Sequence, residues 1–364
     1  MFNHIIGGGL ILTPFLFRFS HGMSQPRISK AFFLYFVCAI AVFFYEKSKD
    51  IDIKHKLAMV SIIAISLFNT NMFMSNRFWL QFQLLSSFLF LFYMMITSDL
   101  KKEVLIRYII ALCFIESFWV FSASLGHNFY DYLAMLFPGV EVAEKSISYQ
   151  KYPLGSLNNP NLSGALIAVT MPFFFKKDVW PWLILPATSL YLCDSAMSFL
   201  TLIAGVSFYL WNRFTKDKLT PYISFAALGI LFLAIGLPES GFFSGQSRYQ
   251  AWMKSLDYFT SPLFGHGLGW TGDIFRENVF GREYFVQLHN EYLQTLLEMG
   301  IVGLFFFVAA WMICALRSRN ILVSSSMFAI AVNSYGNFYF HISLLSFVAL
   351  IIAAIAYNNK EGVL

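Results

Sequence analysis

The chain has 364 residues, 58% of them hydrophobic and only 12% charged, with a net charge of +5. A soluble domain carries roughly 25% charged residues. Even a large core leaves a surface that must be polar, so this composition excludes an ordinary water-soluble protein and indicates helices that face lipid, a setting that suits the 43 Phe side chains. The basic residues are dispersed through loops and form no block of the kind that grips phosphate backbones, so no nucleic-acid partner is expected.

A membrane-spanning helix needs roughly 17–25 mostly apolar residues. Stretches of that kind predict an all-α polytopic protein of about twelve helices, near 3–19, 29–45, 57–74, 78–97, 103–124, 161–176, 179–194, 196–212, 220–238, 291–316, 321–339 and 341–357. Pro172, Pro181 and Pro186 interrupt the region 161–194, where two short spans are expected. The first segment lacks a basic start and a small-residue cleavage site, and reads as a membrane helix rather than a removable leader. Cys38, Cys113, Cys193 and Cys314 lie in apolar segments with no paired spacing, and read as small buried hydrophobes. No internal repeat is visible, so residues 1–364 form a single transmembrane domain.

Basic residues in short loops set the orientation. Lys47, Lys49, Lys54 and Lys56, then Lys101, Lys102 and Arg107, then Lys176 and Lys177, then Arg213, Lys216 and Lys218, then Arg317 and Arg319, with Lys360, fall on alternate connections. That side is expected to be cytoplasmic, with both termini on it, although Arg18, Arg27 and Lys30 fall opposite. Two longer connections, around 125–160 and 239–290, are then extracytoplasmic. Long connections are where function concentrates, and the loop at 239–290, between the ninth and tenth helices, is expected to carry the active site.

Ionisable residues are nearly absent from the spans, Glu116 being the main exception. An acid in the bilayer marks either a functional group or a carboxyl bonded to Trp119, Ser117 or a neighbouring helix. In the outer loop, Arg248, Trp252 and Ser255 share a face if the segment is helical. Trp252 then anchors at the headgroup level while Arg248 points to a polar cleft, or else snorkels. Next, Gly265-His266-Gly267-Leu268-Gly269 reads either as a plain turn or as a run whose N–H groups cradle phosphate oxygens. Arg276 and Arg282 follow among Asp273, Glu277 and Glu283, where ion pairing is the simplest reading. Finally, the run from His289 to Leu304 opens a helix that enters the membrane. His289, Leu293, Leu296 and Gly300 share one face, and Gly300 and Gly303 permit a neighbouring helix to pack closely. A neutral imidazole at the helix mouth, on the water–lipid boundary, is able to take a proton from a hydroxyl.

Three stretches of this sequence resemble the O-antigen ligase and polymerase family of bacterial envelopes. They are Gly155-Ser156-Leu157-Asn158-Asn159-Pro160-Asn161-Leu162-Ser163-Gly164; Ser247-Arg248 through Trp252 with Pro262-Leu263-Phe264-Gly265-His266-Gly267-Leu268-Gly269; and His289-Asn290-Glu291-Tyr292-Leu293 through Glu298-Met299-Gly300-Ile301-Val302-Gly303. The resemblance implies a multi-pass protein of the bacterial cytoplasmic membrane with its active site facing the periplasm. It implies inverting glycosyl transfer from a glycan on undecaprenyl pyrophosphate to a sugar hydroxyl. The acceptor is lipid A–core for a ligase and another lipid-linked glycan for a polymerase, and neither a metal nor any other cofactor takes part. It further implies catalysis by His289 and Arg248, with Arg276, Arg282, Lys151, Asn159, Asn161, His266 and Glu298 in substrate binding. One departure stands out: where the family often places Ser-Arg at the start of the eighth helix, this chain has Asp194-Ser195-Ala196. A lipid-glycan transporter is the non-enzymatic alternative, but it predicts mid-span charge that the sequence lacks.

Overall fold

The computed structural model describes residues 4–6, 8, 91–97, 101–127, 153, 155–157, 159–235, 246–271, 288–337, 340 and 343–358, with side chains omitted at 231–235, 246–250 and 343. The expected spans near 29–45 and 57–74, most of those near 3–19 and 78–97, and the expected site residues Lys151, Arg276 and Arg282 lie outside the described residues.

Among the described residues the regular structure is entirely helical. The helices are α1 (Lys102–Ser124), α2 (Pro160–Thr170), α3 (Ile184–Leu192), α4 (Ala196–Thr215), α5 (Leu219–Ile235), α6 (Gln246–Asp257), α7 (Glu291–Arg317), α8 (Ile321–Gly336) and α9 (Ser343–Tyr357). Two of them, α1 and α7, are long and apolar enough to cross a membrane, with mean hydropathy of 2.0 and 2.4 over their most apolar windows. Only 22% of that window in α7 is buried within the protein. A helix this apolar and this bare is not the core helix of a soluble protein, and its outer face matches a lipid surface.

The prolines shape the region between α2 and α3 as the sequence suggests. Pro160 occupies the first turn of α2, where a missing N–H costs nothing, and the Asn159 side chain caps it by accepting from Asn161 N at 2.9 Å. Pro172 then removes a donor, and the chain tightens into a 3₁₀ turn over Met171–Phe175. A second 3₁₀ turn, Trp180–Leu183, leads into α3. Each rod is therefore shorter than an uninterrupted span.

The core forms where α2, α4 and α9 pack around α8. Several polar side chains inside it are paired. Asn333 Nδ2 donates to Thr201 Oγ1 at 2.8 Å, Asn337 Nδ2 donates to Asn333 Oδ1 at 3.2 Å, and Ser326 Oγ donates to Val169 O at 2.5 Å. In an apolar surround such bonds fix the register of neighbouring helices. Cys113, Cys193 and Cys314 are free and buried, as expected of small hydrophobes. Glu116 is fully buried, and one carboxylate oxygen accepts from Ser156 N at 3.2 Å and from Ser156 Oγ. Its partner is the turn before α2, with Ser163 of that neighbouring helix beside it, rather than Trp119 or Ser117.

The ends of the helices sort to two sides. At one, Lys218 between α4 and α5 donates from Nζ to the carbonyl of Ser318 after α7, and desolvation there pulls its ammonium below the usual lysine range. Asp217 caps α5, accepting from Leu219 N at 2.9 Å. At the other, Ser195 caps α4, and Ser198 Oγ donates to Ser195 Oγ at 2.9 Å and to Asn161 O at 3.3 Å, which joins the starts of α4 and α2.

Candidate active site

Three elements assemble the site: α6, the loop 258–271 and the N-terminal part of α7. Helix α6 begins at Gln246, so its backbone places Arg248 one turn before Trp252. Trp252 is 5% exposed and donates from Nε1 to Leu288 O at 2.6 Å. Its ring meets Tyr335 of α8 edge to face at 5.8 Å between centroids. The headgroup anchor expected at Trp252 is thus replaced by a buried bolt between α6 and the turn that precedes α7. Ser255, on the same face, is buried as well and donates to Trp252 O at 2.7 Å.

That turn carries His289. Leu288 N donates to Gln294 Oε1 at 3.3 Å, and Asn290 caps α7 by accepting from Leu293 N at 3.0 Å. Leu288 and Asn290 are both 1% exposed, whereas His289 between them is half-buried and reaches the surface. His289 has φ +55°, a left-handed conformation that L residues seldom adopt and that clusters at functional sites. The imidazole is therefore presented by a backbone held on both flanks. The first turn of α7 is anchored further by Tyr292 OH, which donates to Ala331 O at 2.8 Å, and by buried Glu291, which accepts from Phe340 N at 2.6 Å.

One turn deeper, Glu298 is 3% exposed. Its Oε1 accepts from Gln294 Nε2 at 3.1 Å and from Thr271 Oγ1. A chain of bonds therefore runs from Thr271 through Glu298 and Gln294 to Leu288, next to His289. The sequence names Glu298 but not Gln294 or Thr271. The readable signal is Asn290, Gln294 and Glu298 at intervals of four, a polar stripe on an otherwise apolar helix.

The glycines do something other than expected. Gly300 does not continue the helix: its backbone, at φ 70° and ψ −172°, breaks α7, and the loop 261–267 fills the break. His266 N donates to Leu297 O at 3.0 Å and Gly267 N to Glu298 O at 2.8 Å, while Ile301 N donates to Pro262 O at 2.8 Å and Val302 N to Leu263 O at 3.2 Å. The groups that a helix break would orphan are thereby satisfied from outside the helix, as broken helices in membranes require. A Cβ on Gly300 would overlap the backbone of Leu263, and one on Gly265 would overlap that of Glu298. Gly300 therefore serves a loop rather than a neighbouring helix. Of the amides expected to cradle a phosphate, three are already engaged: Gly265 N donates to Ser261 O at 2.9 Å, and those of His266 and Gly267 are held by α7.

His266 stacks on Trp270 with ring centroids 4.0 Å apart, and its Nε2 accepts from Thr260 N at 3.2 Å. Asn159 and Asn161 stand at the start of α2, where Asn159 acts as the helix cap. Asp194-Ser195-Ala196 does head a helix, but among these three the polar work is capping by Ser195. Beneath the His289 turn lies a cavity of about 390 Å³ between α5, α7 and α8. Asn290, Tyr292 and Leu293 line one end and Trp311 and Met312 the other, and its walls are almost wholly aliphatic and aromatic.

The Trp252 bolt yields a test. Phe at this position keeps the ring but strands the Leu288 carbonyl, and a buried unsatisfied acceptor costs about 1–3 kcal/mol. Trp252→Phe is expected to lower the thermal unfolding midpoint in detergent and to loosen the His289 turn, seen as faster amide exchange at 288–290.

No curated protein sequence matches the chain. The family model described as O-antigen ligase does match it over residues 182–308, a stretch that contains α6, the docked loop and the broken part of α7, and over these residues the chain is similar to that family.

Proposed function

We propose that this protein is an O-antigen ligase-like glycosyltransferase that moves a glycan from undecaprenyl pyrophosphate to a sugar hydroxyl of lipid A–core or a similar acceptor. The loop 239–290 faces the extracytoplasmic side of the bacterial cytoplasmic membrane, and the whole chain acts as one transmembrane domain. The observation that carries this reading is the bond from Trp252 to Leu288, which ties the helix bearing Arg248 to the turn bearing His289. One helical turn separates Arg248 from Trp252, about 6 Å along the axis.

In the reaction, His289 accepts the proton of the acceptor hydroxyl as its oxygen attacks the anomeric carbon. The bond from that carbon to the pyrophosphate oxygen breaks, and the lipid pyrophosphate leaves with the electron pair. Arg248 binds the leaving group through its planar fork of donors. Arg276, Arg282 and Lys151 supply further positive charge, and Asn159, Asn161 and His266 contact the glycan. Glu298 serves the same site through Gln294 and Thr271. A pyrophosphate is already a good leaving group, so the mechanism is metal-independent, and the single displacement by the acceptor oxygen from the opposite face inverts the anomeric carbon. The apolar cavity below Asn290 gives the start of the prenyl tail a place beside the reacting phosphate, and its wall chemistry suits a hydrocarbon.

The experiment is transfer by the purified protein from lipid-linked glycan, offered either core lipid or more glycan donor. Capped core is the expected product, and lengthened glycan would instead assign a polymerase of the same family. No transfer to either acceptor, with the protein folded, would reject the proposal. Arg248→Lys is expected to lose most activity, because an ammonium cannot make the two parallel contacts of a guanidinium. An unchanged rate would remove Arg248 from phosphate binding.

A further inference from the structure

We propose that Pro262-Leu263-Phe264, the tip of the loop docked on α7, is a wedge inserted among the acyl chains of the extracytoplasmic leaflet. The proposal needs α7 to be a membrane span with its N-terminus outside, but it does not need the transfer reaction.

The depth of the tip follows from hydrogen bonds. Pro262 O and Leu263 O accept from Ile301 N and Val302 N, so the tip lies level with those two residues along α7. Helix α7 has 27 residues, about 40 Å of rise, which exceeds a hydrocarbon core of about 30 Å. The surplus sits at its start, where Glu291, Gln294, Thr295 and Glu298 are polar, and the stretch 301–316 that follows is wholly apolar. The helix break at Gly300 therefore marks the outer edge of the hydrocarbon, and the loop tip is held at that edge.

The tip is also apolar and bare. Leu263 is 56% exposed and Phe264 70%. They continue the outer face of α7, where Ile301 is 58%, Phe305 64% and Phe306 66% exposed. A loop in water has no reason to present Leu and Phe together, and the same pair beside a lipid-facing stripe has acyl chains as its natural occupant. Residues around the tip change character within a short distance: Lys254 and Asp257 of α6 are exposed and charged. The segment thus has a wet end and a greasy end. By seating the greasy end in the leaflet, the protein fixes the height of α6, and with it Arg248, relative to the headgroup plane.

Nitroxide scanning tests this in the full chain, reconstituted in vesicles of phosphatidylethanolamine and phosphatidylglycerol. Labels are placed at Phe264→Cys and, as the wet control, Asp257→Cys, in a background in which the four native cysteines are replaced. Collisions with oxygen, which concentrates in lipid, are expected to exceed collisions with a water-soluble nickel chelate several-fold at 264 and to fall below them at 257. A label at 264 reached mainly by the nickel chelate would overturn the wedge, and so would one shielded from both reagents, since protein would then cover the tip. The readout is independent of glycan transfer, so an inactive preparation leaves the result interpretable.

Discussion

Alanine in place of Gly300 is expected to cost the protein its native fold around the site. Gly300 has φ 70° and ψ −172°, a region of backbone space that is essentially restricted to glycine and costs about 1–3 kcal/mol for other residues. The added Cβ would also run into the backbone of Leu263, which has no side-chain freedom with which to retreat. Relief requires expelling the loop. Expulsion leaves Leu297 O, Glu298 O, Ile301 N and Val302 N without their present partners at the edge of an apolar layer, each at about 1–3 kcal/mol. The same methyl on Gly267 separates the two effects, because that residue also has positive φ, at 103°, yet nothing lies within 4 Å of its Cβ position. Gly267→Ala should remain folded with a modest loss, whereas Gly300→Ala should aggregate or elute as a broadened species on size exclusion in detergent. Equal behaviour of the two variants would mean that the loop is not held by the helix break.

The contrast between these glycines also explains what the sequence could and could not reveal. Helix limits follow from local chemistry and were legible: the expected spans near 103–124, 196–212 and 291–316 match Lys102–Ser124, Ala196–Thr215 and Glu291–Arg317. Asn159, Ser195 and Asn290 act as caps of the types that usually start helices. The break inside α7 was not legible. Gly300 and Gly303 at this spacing look like a surface for helix packing, and the carbonyls and amides that make the break tolerable come from residues 262–267, more than thirty positions upstream. No periodicity encodes such an exchange. Trp252 failed in the same way: a Trp in an outer loop of a membrane protein suits an interface, and only the fold shows its indole turned inward to Leu288. Glu116 was legible as a group needing a partner, but its partner, Ser156, lies forty residues away in a turn. Local rules thus located the candidate residues, and long-range hydrogen bonds show which of them hold the frame.

The second large effect concerns His289, and it should fall on chemistry rather than on folding. His289→Ala is expected to lower the rate of glycan transfer by about 10²–10⁴-fold, the usual contribution of a positioned general base, with little change in the thermal unfolding midpoint. The separation is expected because groups other than the imidazole hold the turn on both flanks. Leu288 is held through both its carbonyl and its amide, by Trp252 and Gln294, and Asn290 is held by its cap to Leu293. A side chain removed from between two fixed neighbours leaves the backbone in place. Binding of the lipid-linked donor should also survive, since the proposal assigns that to arginine and to the apolar cavity. The decisive comparison is single-turnover transfer against donor affinity for the same purified variant. Retained affinity with lost turnover is the signature of a base that acts on the acceptor hydroxyl. Near-normal turnover would remove His289 from the reaction and leave its left-handed backbone as a feature of the turn alone, whereas parallel loss of affinity and turnover would move its role to holding the donor.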